Sequence, residues 1–329
     1  MDKIKIGLIG CGAISRMHVN RIKERKDAEI TAICDVKEEQ IEWFRGQTGV
    51  NGSVPAYTDI KKMYANEDLN AVIICTPHTM HFQHAMDALD RGLHVFLEKP
   101  MVTNSEHAKE LAEKADKTGK ILTVGYNTSA TPVFSYLKRI IDENRFGKLE
   151  LVNGYLCQNW LEGTKGKWRQ EPELSGGGQA YDSGAHLLNS LVWSVNSPVD
   201  EVYAMVDNHG AAVDINSTLN VRFRNGVMAS IAIGGNCIKA GGHMVFIFEK
   251  GHVEIDGWCG GWIKVFADNE ETEPSFDEQQ EINPTGNFID ALLERDTVRV
   301  TPEHGIIHSQ LMDAVYESAE KKRPVCFTA

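Results

Sequence analysis

The sequence predicts an α/β protein: an N-terminal doubly wound parallel sheet, then a second α/β domain with a large, mostly antiparallel open sheet. Three observations carry this expectation. Up to about residue 125, apolar runs of strand length alternate with amphipathic helical stretches. Beyond it the pattern changes to period two, with Asn225-Gly226 set between two alternating segments. Between the first apolar run and the first helix lies Gly10-Cys11-Gly12-Ala13-Ile14-Ser15, a glycine turn at the end of a strand.

Strands are expected at residues 4–9, 29–34, 71–75, 93–97 and 121–124, with a weaker one near 54–57. Runs such as Ile73-Ile74-Cys75 lack polar alternation, as strands covered on both faces do. Helices fall between them, including 81–91 and 105–118, the latter halted at Gly119. After a helix near 132–144, alternating segments follow at 149–157, 201–207, 216–224, 227–233 and 244–249. Asn225-Gly226 is a strong hairpin signal and Lys250-Gly251 reads as another turn. Helices near 287–295 and 303–321 close the chain, and 268–281 reads as a solvated acidic loop. The change of pattern places a dinucleotide-binding domain at 1–125 and a substrate-binding and oligomerisation domain at 126–329.

Bulk properties narrow the function classes. A chain of 329 residues with 42% hydrophobic and 24% charged content has the composition of a soluble globular protein. Its net charge of −12 argues against a nucleic-acid or anionic-membrane surface, which needs clustered Lys and Arg. Seven cysteines, at 11, 34, 75, 157, 237, 259 and 326, are odd in number and scattered, with no Cys-x-x-Cys. Several fall in apolar strand patterns, so buried reduced thiols and a cytoplasmic location are expected. The charged strand Lys3-Ile4-Lys5-Ile6 is not a signal peptide, and no apolar run approaches membrane-spanning length.

The unusual residues cluster at the ends of the expected parallel strands, where open sheets bind ligands. Gly10 and Gly12 permit a tight turn and close backbone approach to a pyrophosphate at a helix N-terminus, with Ala13 and Ile14 following. Asp35 ends the second strand about 25 residues later, where an acidic side chain binds both ribose hydroxyls of NAD and repels the 2′-phosphate of NADP. A helix-capping role is the ordinary alternative for such an Asp. Thr76-Pro77-His78 follows the next clear strand, with His81 and His84 beyond it. The spacing of those histidines turns them too far apart for one metal ion, and His304 with His308 lacks a third ligand, so no metal is expected.

Glu98-Lys99-Pro100 ends the fifth strand, with Glu98 and Lys99 pointing to opposite sides. Asp182-Ser183-Gly184-Ala185-His186 places an acid and a base at i and i+4, one turn apart if helical, a plausible general base held by a carboxylate. Tyr155, Trp160, Trp168 and Tyr181 could stack on a sugar ring or belong to the core.

Taken in order, these residues resemble the Gfo/Idh/MocA oxidoreductases. The marks are Gly7-Leu8-Ile9-Gly10-Cys11-Gly12, Thr76-Pro77, His81, Glu98-Lys99-Pro100, Gly125-Tyr126-Asn127, Trp168-Arg169, and Gly177-Gly178 leading to Asp182-x-Gly184-x-His186. The resemblance implies a Rossmann domain binding NAD, with NADP second, and a sugar, anhydrosugar or cyclitol substrate. It implies homodimers or homotetramers through the C-terminal sheet. It places Thr76, Pro77, His78, His81, Glu98, Lys99, Asn127, Trp168 and Arg169 at the cofactor and Lys99, Tyr155, Trp160, Tyr181, Asp182 and His186 at the substrate. Lys99 and His186 would handle the reacting hydroxyl and Asp182 would orient the site.

The chain departs from the family pattern at Thr128-Ser129-Ala130, where many relatives are basic, and at Asn189, where many carry Asp. Both positions are expected to border the substrate pocket, which favours a neutral substrate over a phosphorylated one. An NAD-dependent glycosidase working by transient oxidation, or a non-catalytic sugar sensor, are the competing functions. Neither needs to lose the fold, but a sensor has no chemical need for Lys99, Asp182 and His186 together.

Overall fold

A computed structural model describes residues 3–327 except 259, 269, 275 and 277–282. Cys259 and half of the expected acidic loop therefore lie outside the described residues. The first half runs β1 (Ile4–Ile9), α1 (Ala13–Lys23), β2 (Ala28–Cys34), α2 (Glu38–Thr48), β3 (Ala56–Tyr57), α3 (Ile60–Asn66), β4 (Ala71–Ile74), α4 (His81–Asp90), β5 (His94–Leu97), α5 (Ser105–Thr118) and β6 (Leu122–Val124). The six strands pair in the order β3-β2-β1-β4-β5-β6. Every pairing is parallel. The order reverses between β1 and β4, the crevice where such sheets bind ligands.

The second half runs α6 (Pro132–Asp142), β7 (Leu149–Asn159), α7 (Trp160–Gly163), α8 (Pro172–Ser175), α9 (Gly184–Val195), β8 (Val199–Asp207), β9 (Asn216–Phe223), β10 (Met228–Gly234), β11 (Asn236–Phe248), β12 (Gly251–Ile255), β13 (Ile263–Ala267), β14 (Glu270–Thr272), α10 (Pro284–Leu292), α11 (Pro302–Lys321) and β15 (Val325–Cys326). Its nine strands pair in the order β14-β13-β12-β11-β7-β10-β9-β8-β15. Among the described residues only the β7–β10 pairing in this sheet is parallel. Both expected hairpins are present, at Asn225-Gly226 and at Lys250-Gly251. Part of the expected acidic loop is the edge strand β14, whose three residues pair with β13.

Alternation along the strands puts Val152, Leu156, Leu219, Val221, Ile231 and Phe246 on one face, against Leu137, Leu188, Leu191, Leu311 and Val315 of α6, α9 and α11. The opposite face is open, with Leu151, Tyr155, Tyr203, Met205 and Met228 exposed. Helix α11 also packs on α5, which joins the two halves. Helix α10 follows the second sheet in sequence, yet Phe288 and Ile289 complete the core around Ile6, Leu8, Val19 and Ile22. Arg25 Nη2 donates to Asp290 at 2.5 Å and holds that helix in place.

The thiols are less uniformly buried than expected. Cys11 and Cys34 are buried, Cys75, Cys157 and Cys237 are half-buried, and Cys326 is exposed; none of these six is bridged. Among the described residues no helix is long and apolar enough to cross a membrane.

Candidate active site

The cavity at the reversal point is lined from both halves, by Gly12, Ile14, Thr76, His78, Glu98, Lys99 and Asn127 from one side and by Trp160, Trp168, Arg169, Asp182 and His186 from the other. Gly10 has φ +92, and a Cβ there would lie 2.7 Å from the Cys75 carbonyl oxygen. A side chain is excluded on both counts. Gly12 caps α1 with no side-chain hydrogen bond, and nothing lies within 4 Å of where its Cβ would be. The first amides of α1 are thus uncapped beside open space, an arrangement suited to a pyrophosphate.

Asp35 accepts from the Cys11 amide at 2.9 Å and from the Lys37 amide at 3.1 Å, so it ties the two strand-end turns together. It does not cap α2, whose N-cap is Lys37. The Asn127 side-chain oxygen is buried with no hydrogen-bond partner. A buried acceptor left open is costly unless a ligand or water donates to it. These features fit a bound dinucleotide.

Lys99 and Asp182 join the two halves. The Lys99 ammonium donates to Asp182 Oδ1 and to the Asp182 carbonyl, both at 2.9 Å. Asp182 Oδ2 accepts from Trp160 Nε1 at 2.8 Å and from Arg169 Nε at 3.0 Å. Burial alone would favour the neutral acid, but Lys99 and Arg169 outweigh it and hold the carboxylate well below the usual range. The peptide bond Lys99–Pro100 is cis.

The segment carrying Asp182 is shaped from beneath by Asp214, whose carboxylate accepts from the amides of Gly178 at 2.6 Å and Ala180 at 2.8 Å and from the Tyr316 hydroxyl at 2.6 Å. A Cβ at Gly178 would collide with the Asp214 carbonyl oxygen. Here the i, i+4 expectation needs correction. Helix α9 begins at Gly184, so Asp182 precedes it, and the carboxylate faces Lys99 rather than the imidazole of His186. His186, in the first turn, packs with its ring 6.1 Å from that of Tyr126 and 6.2 Å from that of Trp258. Burial and Lys99 push its pKa down to about 4, so the ring is neutral at pH 7 and able to accept a proton.

Other expected site residues fall in different places. His81 is fully buried, with one ring nitrogen 2.7 Å from the Pro100 carbonyl and the other 2.9 Å from that of Thr76. It braces the two strand-end turns and does not face the cavity. Pro77 precedes the 3₁₀ turn at 78–80 and is not among the lining residues. His78 does line the cavity, with Nδ1 3.0 Å from the Ser175 carbonyl and its ring edge-on to Trp168 at 4.9 Å. Tyr155 lies on the outer face of β7, offset by one residue from the inward-facing Leu156. Tyr181 is 1% exposed, stacks on Tyr316 and donates to the Val102 carbonyl, so it belongs to the core. Asn189 is likewise fully buried, and neither it nor 128–130 lines the cavity.

Sequence reasoning missed Gln158, Trp258 and the partner of Glu98. Gln158 shares the inward parity of Leu156, and its amide donates to Ser183 Oγ at 2.6 Å; the register of β7 could have found it. Trp258 lies in a turn with no local signal. His18, on α1, places Nε2 2.8 Å from Glu98 Oε1. Among the described residues no group of three His, Cys, Asp or Glu side chains is arranged to hold a metal ion.

Comparison with known proteins agrees with this fold. Residues 4–126 match the model of the oxidoreductase family with an NAD-binding Rossmann fold, and 134–254 match the GFO/IDH/MocA C-terminal domain. Oxidoreductase P35 of Formosa agariphila is 27% identical over 261 residues, spanning 77% of this chain and 79% of that protein. The scyllo-inositol 2-dehydrogenase (NADP(+)) IolW of Bacillus subtilis is 24% identical over 99% of this chain and 96% of its own length. The crystal structure of the WlbA dehydrogenase from Bordetella pertussis, in complex with NADH and UDP-GlcNAcA, superposes with a TM-score of 0.87 at 25% identity, covering 100% of this chain and 99% of that one.

Proposed function

The chain belongs to the Gfo/Idh/MocA oxidoreductase family, and on that premise we propose that it is an NAD-dependent dehydrogenase of a neutral sugar, anhydrosugar or cyclitol. One observation carries this reading: the Lys99–Asp182 ion pair and the His186 imidazole open on the same cavity as the uncapped glycine turn. The nicotinamide, when bound, supplies the hydride acceptor for a carbinol C–H. Gly10, Gly12, Ala13 and Ile14 would hold the pyrophosphate end, and Asp35 would bind the adenosine ribose. Thr76, His78, Glu98, Asn127, Trp168 and Arg169 line the cavity that would hold the nicotinamide end, with His81 and Pro77 in the turns beneath.

The chemistry rests on three side chains. The Lys99 ammonium stabilises alkoxide character on the reacting oxygen. His186 takes the hydroxyl proton during oxidation and returns it during reduction, a role worth about 10² to 10⁴ in rate. Asp182, gripped by Trp160 and Arg169, keeps Lys99 aimed into the cavity. The Asp35 carboxylate supports NAD over NADP, and the B. subtilis relative named for NADP(+) makes the nucleotide the first variable to test. We also assign self-association, as a homodimer or homotetramer, to the open face around Tyr203, Met205 and Met228, in a cytoplasmic enzyme.

Nicotinamide absorbance of the purified protein with NAD or NADP and a panel of neutral sugars, anhydrosugars and cyclitols tests this. NADH formed with one or a few of them is the expected result. Silence across the panel, with release of a leaving group from glycosides and no net redox change, would overturn it.

A further inference from the structure

Glu98 presents a physical problem. It is 6% exposed and lines the cavity, where an isolated carboxylate is costly. The fold surrounds it with partners. His18 Nε2 lies 2.8 Å from Oε1, and the Lys99 amide donates to Oε2 at 3.2 Å. His18 is itself 1% exposed, edge-on to Phe96 at 4.9 Å, and its Nδ1 is 2.8 Å from the Thr285 hydroxyl oxygen. With the Thr285 hydroxyl donating to Nδ1, the Nε2–H is directed at the carboxylate, as second partners of histidine commonly arrange. Gly125 closes the arrangement, since a Cβ there would lie 2.9 Å from Glu98 Oε1.

The turn after β5, His18 of α1 and, through His18, Thr285 of α10 thus converge on one carboxylate. We infer that His18 is a positioning residue: with Thr285 it holds the Glu98 carboxylate against the cavity, where its negative charge favours the cationic oxidised nicotinamide over the neutral reduced one. The inference rests on the proposed dinucleotide site. The Coulomb attraction of a buried carboxylate for a cationic ring acts on NAD+ and has no counterpart for NADH. Its place in the reaction is to bias the bound equilibrium toward NAD+, so that the protein holds the oxidised cofactor more tightly as it meets a carbinol. His18 acts only through Glu98: without its donor, the carboxylate is left buried with one partner fewer and takes up a proton, which removes the charge.

The test measures dissociation constants of NAD+ and NADH for the full-length protein by tryptophan fluorescence, together with the melting temperature. Glu98→Gln and His18→Phe are each expected to weaken NAD+ about tenfold relative to NADH, by the loss of one charge. The double variant is expected to shift the ratio no further, because both changes remove the same charge. His18→Gln, which keeps a side-chain donor, should restore most of the wild-type ratio. An unchanged ratio in Glu98→Gln or His18→Phe would overturn the inference, as would an equal weakening of both nucleotides with a lowered melting temperature in all His18 variants. Wild-type protein that bound neither nucleotide would instead overturn the functional reading on which the inference stands.

Discussion

Asp35 shows how far single residues can be read. Its position at the end of the second strand was legible from spacing, and the two backbone amides it accepts, from Cys11 and Lys37, explain why it is held there. Its carboxylate stands beside the glycine turn, so Asp35→Ala should weaken NAD more than NADP, narrowing the preference by about tenfold, as loss of one well-placed charged hydrogen-bonding group does. Fluorescence titration with both nucleotides checks this, and an unchanged ratio would refute the ribose-hydroxyl role. Tyr155 and Tyr181 show where residue type misleads. An aromatic ring suits a sugar site, an outer sheet face and a core equally well, and only strand register and the packing of Tyr316 separate the three.

Elements were legible in existence more than in extent. The alternation of strands and helices in the first half follows directly from apolar patterning, and the hairpin at Asn225-Gly226 from turn chemistry. Helix α9 was not delimited by its spacing. Asp182 and His186 satisfy i, i+4, but the segment before Gly184 is tied down by Asp214, a residue 32 positions after Asp182 that no local pattern reveals. Asp214→Ala leaves two amides and the Tyr316 hydroxyl without their buried acceptor, and should lower stability by about 3 kcal/mol. It should also cut turnover, because Asp182 loses its platform. Denaturant unfolding with a loss under about 1 kcal/mol would contradict the anchoring role.

At the scale of the whole molecule, function depends on two sheets meeting across one cavity. Lys99 lies just past β5 and Asp182 just before α9, so the proposed reacting centre exists only when the halves are docked. Burial within the fold also perturbs histidines. Burial pushes His78 and His308 down to about 3, and His94, His186 and His304 down to about 4, from an ordinary value of 6.5. Because their folded pKa values are depressed, the unfolded chain binds more protons below about pH 6.5. Stability is therefore complete above that pH and declines as pH falls toward 4, before ordinary carboxylates titrate. The melting temperature should begin to fall near pH 6.5, and a flat profile from pH 7 to 5 would contradict this burial. We propose that Lys99, brought to Asp182 and His186 by the fold, is the catalytic cation. Lys99→Met tests it most directly, with turnover and NADH affinity measured on the same preparation. Turnover lost by about 10³ or more with NADH binding nearly unchanged is the predicted result; near-normal turnover would contradict it.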